Sequence, residues 1–277
     1  MFKDILIHLD GDAEDEHRLA YAVFLAQQND GHLTGLYCNM MPEIMPAGAE
    51  GLGAADMIAE MMANAVEAGA REAERLEKRM RKLNVLNELR HVDLTATQAG
   101  GLLAAEARVA DVFVATRPYG HASGAPHLVE QVMFNSGRAT LLVPPGGTAK
   151  PHIETILLAW RNTREAARAV SEAMPLLVRA KSVVVVTVAS GEASESLDEE
   201  PEADIARHLD RHGVNVELRE VAGWSDPAKA LINEQEQAMA GLIVMGVYGH
   251  SRFREWALGG VTRTVLGTAQ VPVLVAH

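Results

Sequence analysis

The chain repeats itself at about half its length, and this constrains the fold more than any other feature. DILIHLD (Asp4–Asp10) is echoed by TILLAWR (Thr155–Arg161). Each is followed by a polar step and an Ala-rich helical stretch, HRLAYAVFLAQQ from His17 and REAARAVSEAMPLLVRA from Arg164. Each half then reaches a second apolar run, HLTGLYC (His32–Cys38) and KSVVVVTV (Lys181–Val188). ADVFVATRPYGH (Ala110–His121) resembles AGLIVMGVYGH (Ala240–His250), and ATLLVPP (Ala139–Pro145) resembles VPVLVAH (Val271–His277). Matched segments in one order point to a tandem duplication. The stretch PPGGTAKPH (Pro144–His152) suits a linker. The expected domains are therefore residues 1–147 and 152–277.

Within each half, short and almost wholly apolar runs alternate with helical stretches. Such runs suit strands buried on both faces of a parallel sheet, joined by right-handed crossovers. A helix is expected over about Glu202–His212, closed by Gly213, and another after Ser225-Asp226-Pro227. The predicted fold class is α/β: two tandem doubly wound, Rossmann-like domains that bind ligands beyond the carboxyl ends of their strands. The 48% hydrophobic content can fill two cores without staples. Cys38 stands alone, so neither an intrachain disulfide nor a CxxC motif exists. The formal charge of −12 argues against nucleic acid or an anionic membrane as a partner. No apolar run is long enough to span a bilayer, and the acidic N-terminus does not read as a signal peptide. The expectation is a cytoplasmic protein.

The segment from Leu242 to His277 carries the chemistry. A strand runs into Gly246-Val-Tyr-Gly249, and Gly259-Gly260-Val261-Thr262 then opens a helix. Glycines let backbone approach an anion, and a helix N-terminus presents free N–H groups. Arg252 and Arg254 lie in the intervening loop and can add charge-assisted hydrogen bonds.

This G-x2-G-x9-G-G-V-T spacing resembles the nucleotide loop of the universal stress protein family. The strand openings DILIHLDGD and TILLAWRNTREAARA and the closing VPVLVAH are similar to that family as well. The resemblance implies an adenine nucleotide, ATP or AMP (with Mg as companion ion), at the strand ends. Carried over, adenine and ribose would lie near Ala159, Trp160 and Arg161, beside Val188, with Met245 closing one side. Phosphates would meet Gly246, Gly249, Gly259, Gly260, Val261 and Thr262, with His250 beside the loop. The resemblance also implies that the last strands, Ala139–Val143 and Val271–Val275, pair into an intrachain pseudo-dimer. A homodimer of whole chains is open.

Two departures stand out. Arg161 occupies the position where the family carries Asp, and Gly260 replaces a hydroxyl residue. In the first half Asp10 is present, but HASGAPHLVEQVMFNSG follows Tyr119-Gly120. Arg117 is read as standing where Gly246 stands, and His127-Leu128 where Gly259-Gly260 stand. The first half is therefore expected not to bind ATP in the family manner. It also carries an insertion holding Met40, Met41, Met45, Met57, Met61 and Met62. This reads either as an extended helix packing its Met face on the domain or as a flap over an apolar groove.

Other candidates have plainer readings. His208 and His212 are spaced for two metal ligands but sit among Arg207, Asp210 and Arg211, as on a solvated face. His8 and His121 approach the strand ends of the first half. The acidic run Gly191–Asp204 reads as an exposed loop. Cys38 reads as a buried, inert thiol. No nucleophile elbow is apparent. Three functions follow in order: a stress-response module binding ATP or AMP through its second half and signalling to protein partners; a nucleotide-independent protein binding a partner or hydrophobic ligand; a slow ATP hydrolase.

Overall fold

The apolar runs form strands and helices fill the intervals between them. The computed structural model describes residues 1–43, 54–120, 126–146, 150–189, 201–247 and 260–277. The first half contributes β1 (Asp4–Leu9), α1 (Asp15–Asn29), β2 (His32–Met40), α2 (Ala54–Met80), β3 (Leu86–Leu94), α3 (Ala96–Ala107), β4 (Val112–Thr116), α4 (Pro126–Asn135) and β5 (Ala139–Val143). The second contributes β6 (Thr155–Ala159), α5 (Arg164–Leu177), β7 (Ser182–Val188), α6 (Pro201–Arg211), β8 (Val216–Val221), α7 (Pro227–Gln237), β9 (Leu242–Gly246), α8 (Gly260–Thr268) and β10 (Val273–Ala276).

All ten strands join one sheet in the order β3-β2-β1-β4-β5-β10-β9-β6-β7-β8. Pairing is parallel within each half. At the seam β5 and β10 run antiparallel, with Val273 opposite Leu142 and Leu274 opposite Leu141. The seam covers two edges that would otherwise offer unpaired backbone to other chains. It also reverses strand direction, so the carboxyl ends of the two halves lie on opposite edges of the sheet.

Side-chain alternation divides the core into two layers. Ile5, Ile7 and Leu9 pack with α1, α2, α5 and α6 on one face. Leu6, Cys38 and Leu157 pack with α3, α4, α7 and α8 on the other. Ile7, Leu25 and Leu158 are fully buried. Each such side chain contributes roughly 1.5–3 kcal/mol of transfer free energy. Helix ends follow their signals: Asp226 accepts from Ala228 N at 3.0 Å ahead of Pro227, and Gly213, at φ +76°, follows α6.

The Met-rich insertion forms the helix α2, and its methionines divide. Leu76 and Met80 at its C-terminal end are buried against the sheet, but Met57 and Met61 are exposed. The helix outruns the strands beneath it, so its first turns have no sheet to pack on and the Met face is only partly used. Met45 lies outside the described residues. Among the described residues, no helix is long and apolar enough to cross a membrane.

Candidate functional site

In each half the strand order reverses beside the first strand, and a doubly wound sheet opens a crevice there. In the second half this point lies between β6 and β9. Ala159 pairs with Met245 on one side and Val186 on the other. Trp160 N then donates to Val186 O at 2.9 Å, holding the chain in line past the strand end. Ala159, Val188, Met245 and Val261 pack on the same face, the one covered by α7 and α8. These four predicted residues thus share one apolar layer, with Ala159, Val188 and Met245 near the carboxyl ends of their strands.

Trp160 does not share that layer. Alternation sends its side chain to the opposite face, with α5 and α6. Its Nε1 is buried there without a hydrogen-bond partner among the described residues, as is the hydroxyl of Thr187 on β7. Gly246 has a packing reason of its own. A Cβ at this position would stand 2.6 Å from Ala166 N and from the carbonyl carbon of Glu165, in the first turn of α5. Helix and strand therefore meet backbone to backbone. Arg161 is exposed at the end of β6. At the start of α8, Gly260 is exposed and a Cβ there would meet nothing within 4 Å among the described residues. Thr262, two residues on, is fully buried with its Oγ1 unpartnered among the described residues. The first N–H groups of a helix have no intrahelical partner, so this open turn can hold an anion. Gly249, His250, Arg252, Arg254 and Gly259 lie outside the described residues, as do His121 and the acidic stretch 191–200.

The corresponding crevice of the first half is already filled. Arg18 of α1, with its side chain 2% exposed, reaches Asp10 Oδ2 at 2.6 Å and Asp12 Oδ1 at 3.0 Å. It also pairs with Asp15 and donates to Thr116 Oγ1 at 3.2 Å. Asp15 in turn accepts from the backbone N–H groups of Asp10 and Gly11 at 3.1 and 2.9 Å. Burial opposes the charge of Asp10, but the pull of His8 and Arg18 outweighs it and holds the carboxyl below its ordinary range. For Asp15 burial prevails over Arg18, and the carboxyl is pushed up. Burial lowers the pKa of His8, with Asp10 opposing the shift; its Nε2 lies 3.3 Å from Asp10 Oδ1 without hydrogen-bond alignment.

Sequence reasoning did not single out Arg18. Its signal was the spacing Asp10, Asp12, Asp15, Arg18, which a turn followed by one helical step folds around a single cation.

The strand register also corrects one alignment. Ile5 pairs with Val112 as Ile156 pairs with Leu242. Thr116, not Arg117, therefore stands where Gly246 stands, and Arg117 matches Val247. The amides confirm this: Arg117 N donates to Val143 O, and Val247 N to Ala276 O. Pro118 lengthens the first-half turn by one residue, which hid the slip.

Cys38 is buried, and desolvation raises its thiol pKa to about 12. His208 and His212 pack edge to face with ring centroids 4.9 Å apart.

The sequence model of the universal stress protein family matches residues 152–277. A universal stress protein of Synechocystis sp. is 33% identical over 66 residues, spanning 24% of this chain and 22% of that protein. The match thus covers about a fifth of the relative's length. A solved universal stress protein from Archaeoglobus fulgidus shares the fold over 98% of this chain and 97% of its own, at 14% identity and a TM-score of 0.72. A protein of unknown function from Pseudomonas aeruginosa does so over 99% and 92%, at 17% identity and a TM-score of 0.64. It is in its second half, residues 152–277, that the chain is similar to the universal stress protein family.

Proposed function

We propose that the chain is a two-domain stress-response module, 1–147 and 152–277, whose second domain alone binds ATP or AMP. The observation that carries this reading is that Ala159, Val188 and Met245 at the strand ends and Val261 in the first turn of α8 belong to one apolar cluster on the same face of the sheet. An adenine ring suits this apolar cluster. Phosphates suit the N–H groups of Gly260, Val261 and Thr262, with the buried Thr262 hydroxyl as a further donor. Arg161, exposed at the end of β6, adds positive charge on that side. The first domain meets its own charges through Arg18, so it has no comparable demand for a ligand. A second reading, docking of an apolar partner, is favoured by one observation: Met57 and Met61 are exposed on α2.

The test is calorimetric titration of ATP and AMP, together with analysis of small molecules released on denaturation. Gly260→Glu places a carboxylate at the helix start, where the structure has room. Such a charge favours the helix dipole, so thermal stability holds or rises while phosphate is repelled. Binding is expected to fall at least about tenfold, in line with the loss of about 1.4 kcal/mol. Asp10→Asn is expected to leave it unchanged. No heat with the wild-type protein at millimolar nucleotide sinks the proposal.

A further inference from the structure

The turn after β4 in the first half touches the second half at three places, all on or beside α8. Arg117 Nη1 donates to the carbonyl of Ala269, just past the end of α8, at 2.5 Å. The Tyr119 ring lies under the guanidinium of Arg263, 5.1 Å from its centroid. Gly120, at φ +79°, lies so close to the Gly267 carbonyl that any Cβ would overlap it. Arg117 is 9% exposed, and its Nε has no partner among the described residues. A buried cation directed at carbonyls beyond a helix C-terminus complements the helix dipole and makes a charge-assisted hydrogen bond.

The antiparallel seam explains why this contact exists. Strand directions oppose each other across β5 and β10. Helix α8 therefore begins at the carboxyl edge of the second half and ends at the carboxyl edge of the first. Its N-terminus faces one crevice and its C-terminus is gripped by the turn bordering the other. Arg117 directly follows Thr116, which takes a hydrogen bond from Arg18. The grip is thus continuous with the ion-pair cluster filling the first crevice. A helix of 9 residues transmits a shift at one end to the other, because its hydrogen-bonded turns do not compress independently.

We propose that Arg117, Tyr119 and Gly120 are positioning residues for the second half's site: they fix α8 from its C-terminal end and so set where its first N–H groups lie. The first half, without a cradle of its own, thereby tunes the affinity of the other. This inference rests on the nucleotide reading above.

Its test uses the full chain, comparing wild type, Arg117→Met and Arg117→Lys by ATP calorimetry and amide hydrogen exchange. Methionine keeps bulk and removes charge. Arg117→Met is expected to weaken ATP binding about tenfold, within the usual range for coupled sites. Amides over Arg263–Thr268 should exchange faster while those of β6 and β7 keep their protection. Arg117→Lys should recover most of the affinity, since an ammonium group still offers a donor and a charge. ATP affinity of Arg117→Met within about twofold of wild type overturns the inference, whether or not exchange in α8 quickens, because the contact is then structural only. Should Arg117→Met fail to fold, Tyr119→Leu removes the ring beneath Arg263 and is read in the same two ways. A wild type that binds no ATP refutes the nucleotide reading itself. The exchange measurement then still decides whether the turn holds α8.

Discussion

Replacing Arg18 by leucine tests whether the first crevice is held by its own charges. The guanidinium meets three carboxylates, but they do not count equally. Asp15 is 4% exposed, and its pairing with Arg18 is a buried ion pair. Asp10 and Asp12, at 36% and 43%, are partly screened by water. Removing one partner of a buried pair costs about 3–5 kcal/mol, because the other charge is left uncompensated. The two screened pairs add at most about 1 kcal/mol each.

The sign with pH follows from the same groups. Asp15 is already raised by burial. Without Arg18 it rises further, so its cost is greatest at neutral pH and shrinks as the pH falls toward the carboxylate range. Arg18 also helps to hold the His8 pKa down. In its absence that pKa climbs beside Asp10, and protonated His8 partly replaces the missing cation as the pH falls. Urea unfolding followed by circular dichroism should therefore show Arg18→Leu less stable by about 4 kcal/mol at pH 7.5, with a distinctly smaller gap at pH 5. A cost under about 1 kcal/mol, or one equal at both pH values, would refute the argument: the cluster would then be a solvated surface network.

Two further outcomes can be checked directly. Gly246→Ala drives a Cβ to within 2.6 Å of α5 backbone, which cannot rotate away; overpacking of this kind costs about 1–3 kcal/mol, read as a lowered urea midpoint, and ATP binding should weaken with it. Cys38, with its pKa near 12, should resist an aromatic disulfide reagent at pH 8 in the native protein and react promptly once unfolded.

The repeat, the α/β class and the helix boundaries near Gly213 and Pro227 were legible because each rests on local signals: periodicity, caps and glycines. The strand ends were legible too, since β6, β7 and β9 stop where the apolar runs TILLA, SVVVVTV and LIVMG stop. Three features were hidden for physical reasons. Arg18 sits in an Ala-rich stretch that reads as an ordinary helix face; only closure of the β1–α1 turn surrounds it with aspartates. Gly246 looks like a phosphate glycine, yet close contact with α5 already requires it. The exposure of Met57 and Met61 depends on how far α2 outruns the sheet, a length relation that residue type does not encode.

The two crevices differ through a coordinated set of substitutions. Along the matched register Asp10, Asp12, Asp15 and Arg18 correspond to Arg161, Thr163, Ala166 and Ala169, and Thr116 corresponds to Gly246. Both halves must close the gap between the first helix and the fourth strand. The first half closes it with a guanidinium that bridges Asp15 to Thr116. The second closes it with small residues: Ala166 and Ala169 are buried and Gly246 lets the backbones touch. The first solution pairs its carboxylates internally, with Arg18 Nε and His8 Nε2 left buried without partners among the described residues. The second has no such ion pairs among the described residues; there Thr262 Oγ1 is buried without a partner on the α8 side, and Trp160 Nε1 and Thr187 Oγ1 on the other face. Buried polar groups that the fold does not pair are costly unless something else pairs them. Duplication thus supplied two copies of one crevice. Charge fills one of them, while small side chains close the other, the copy in which we propose that the nucleotide binds.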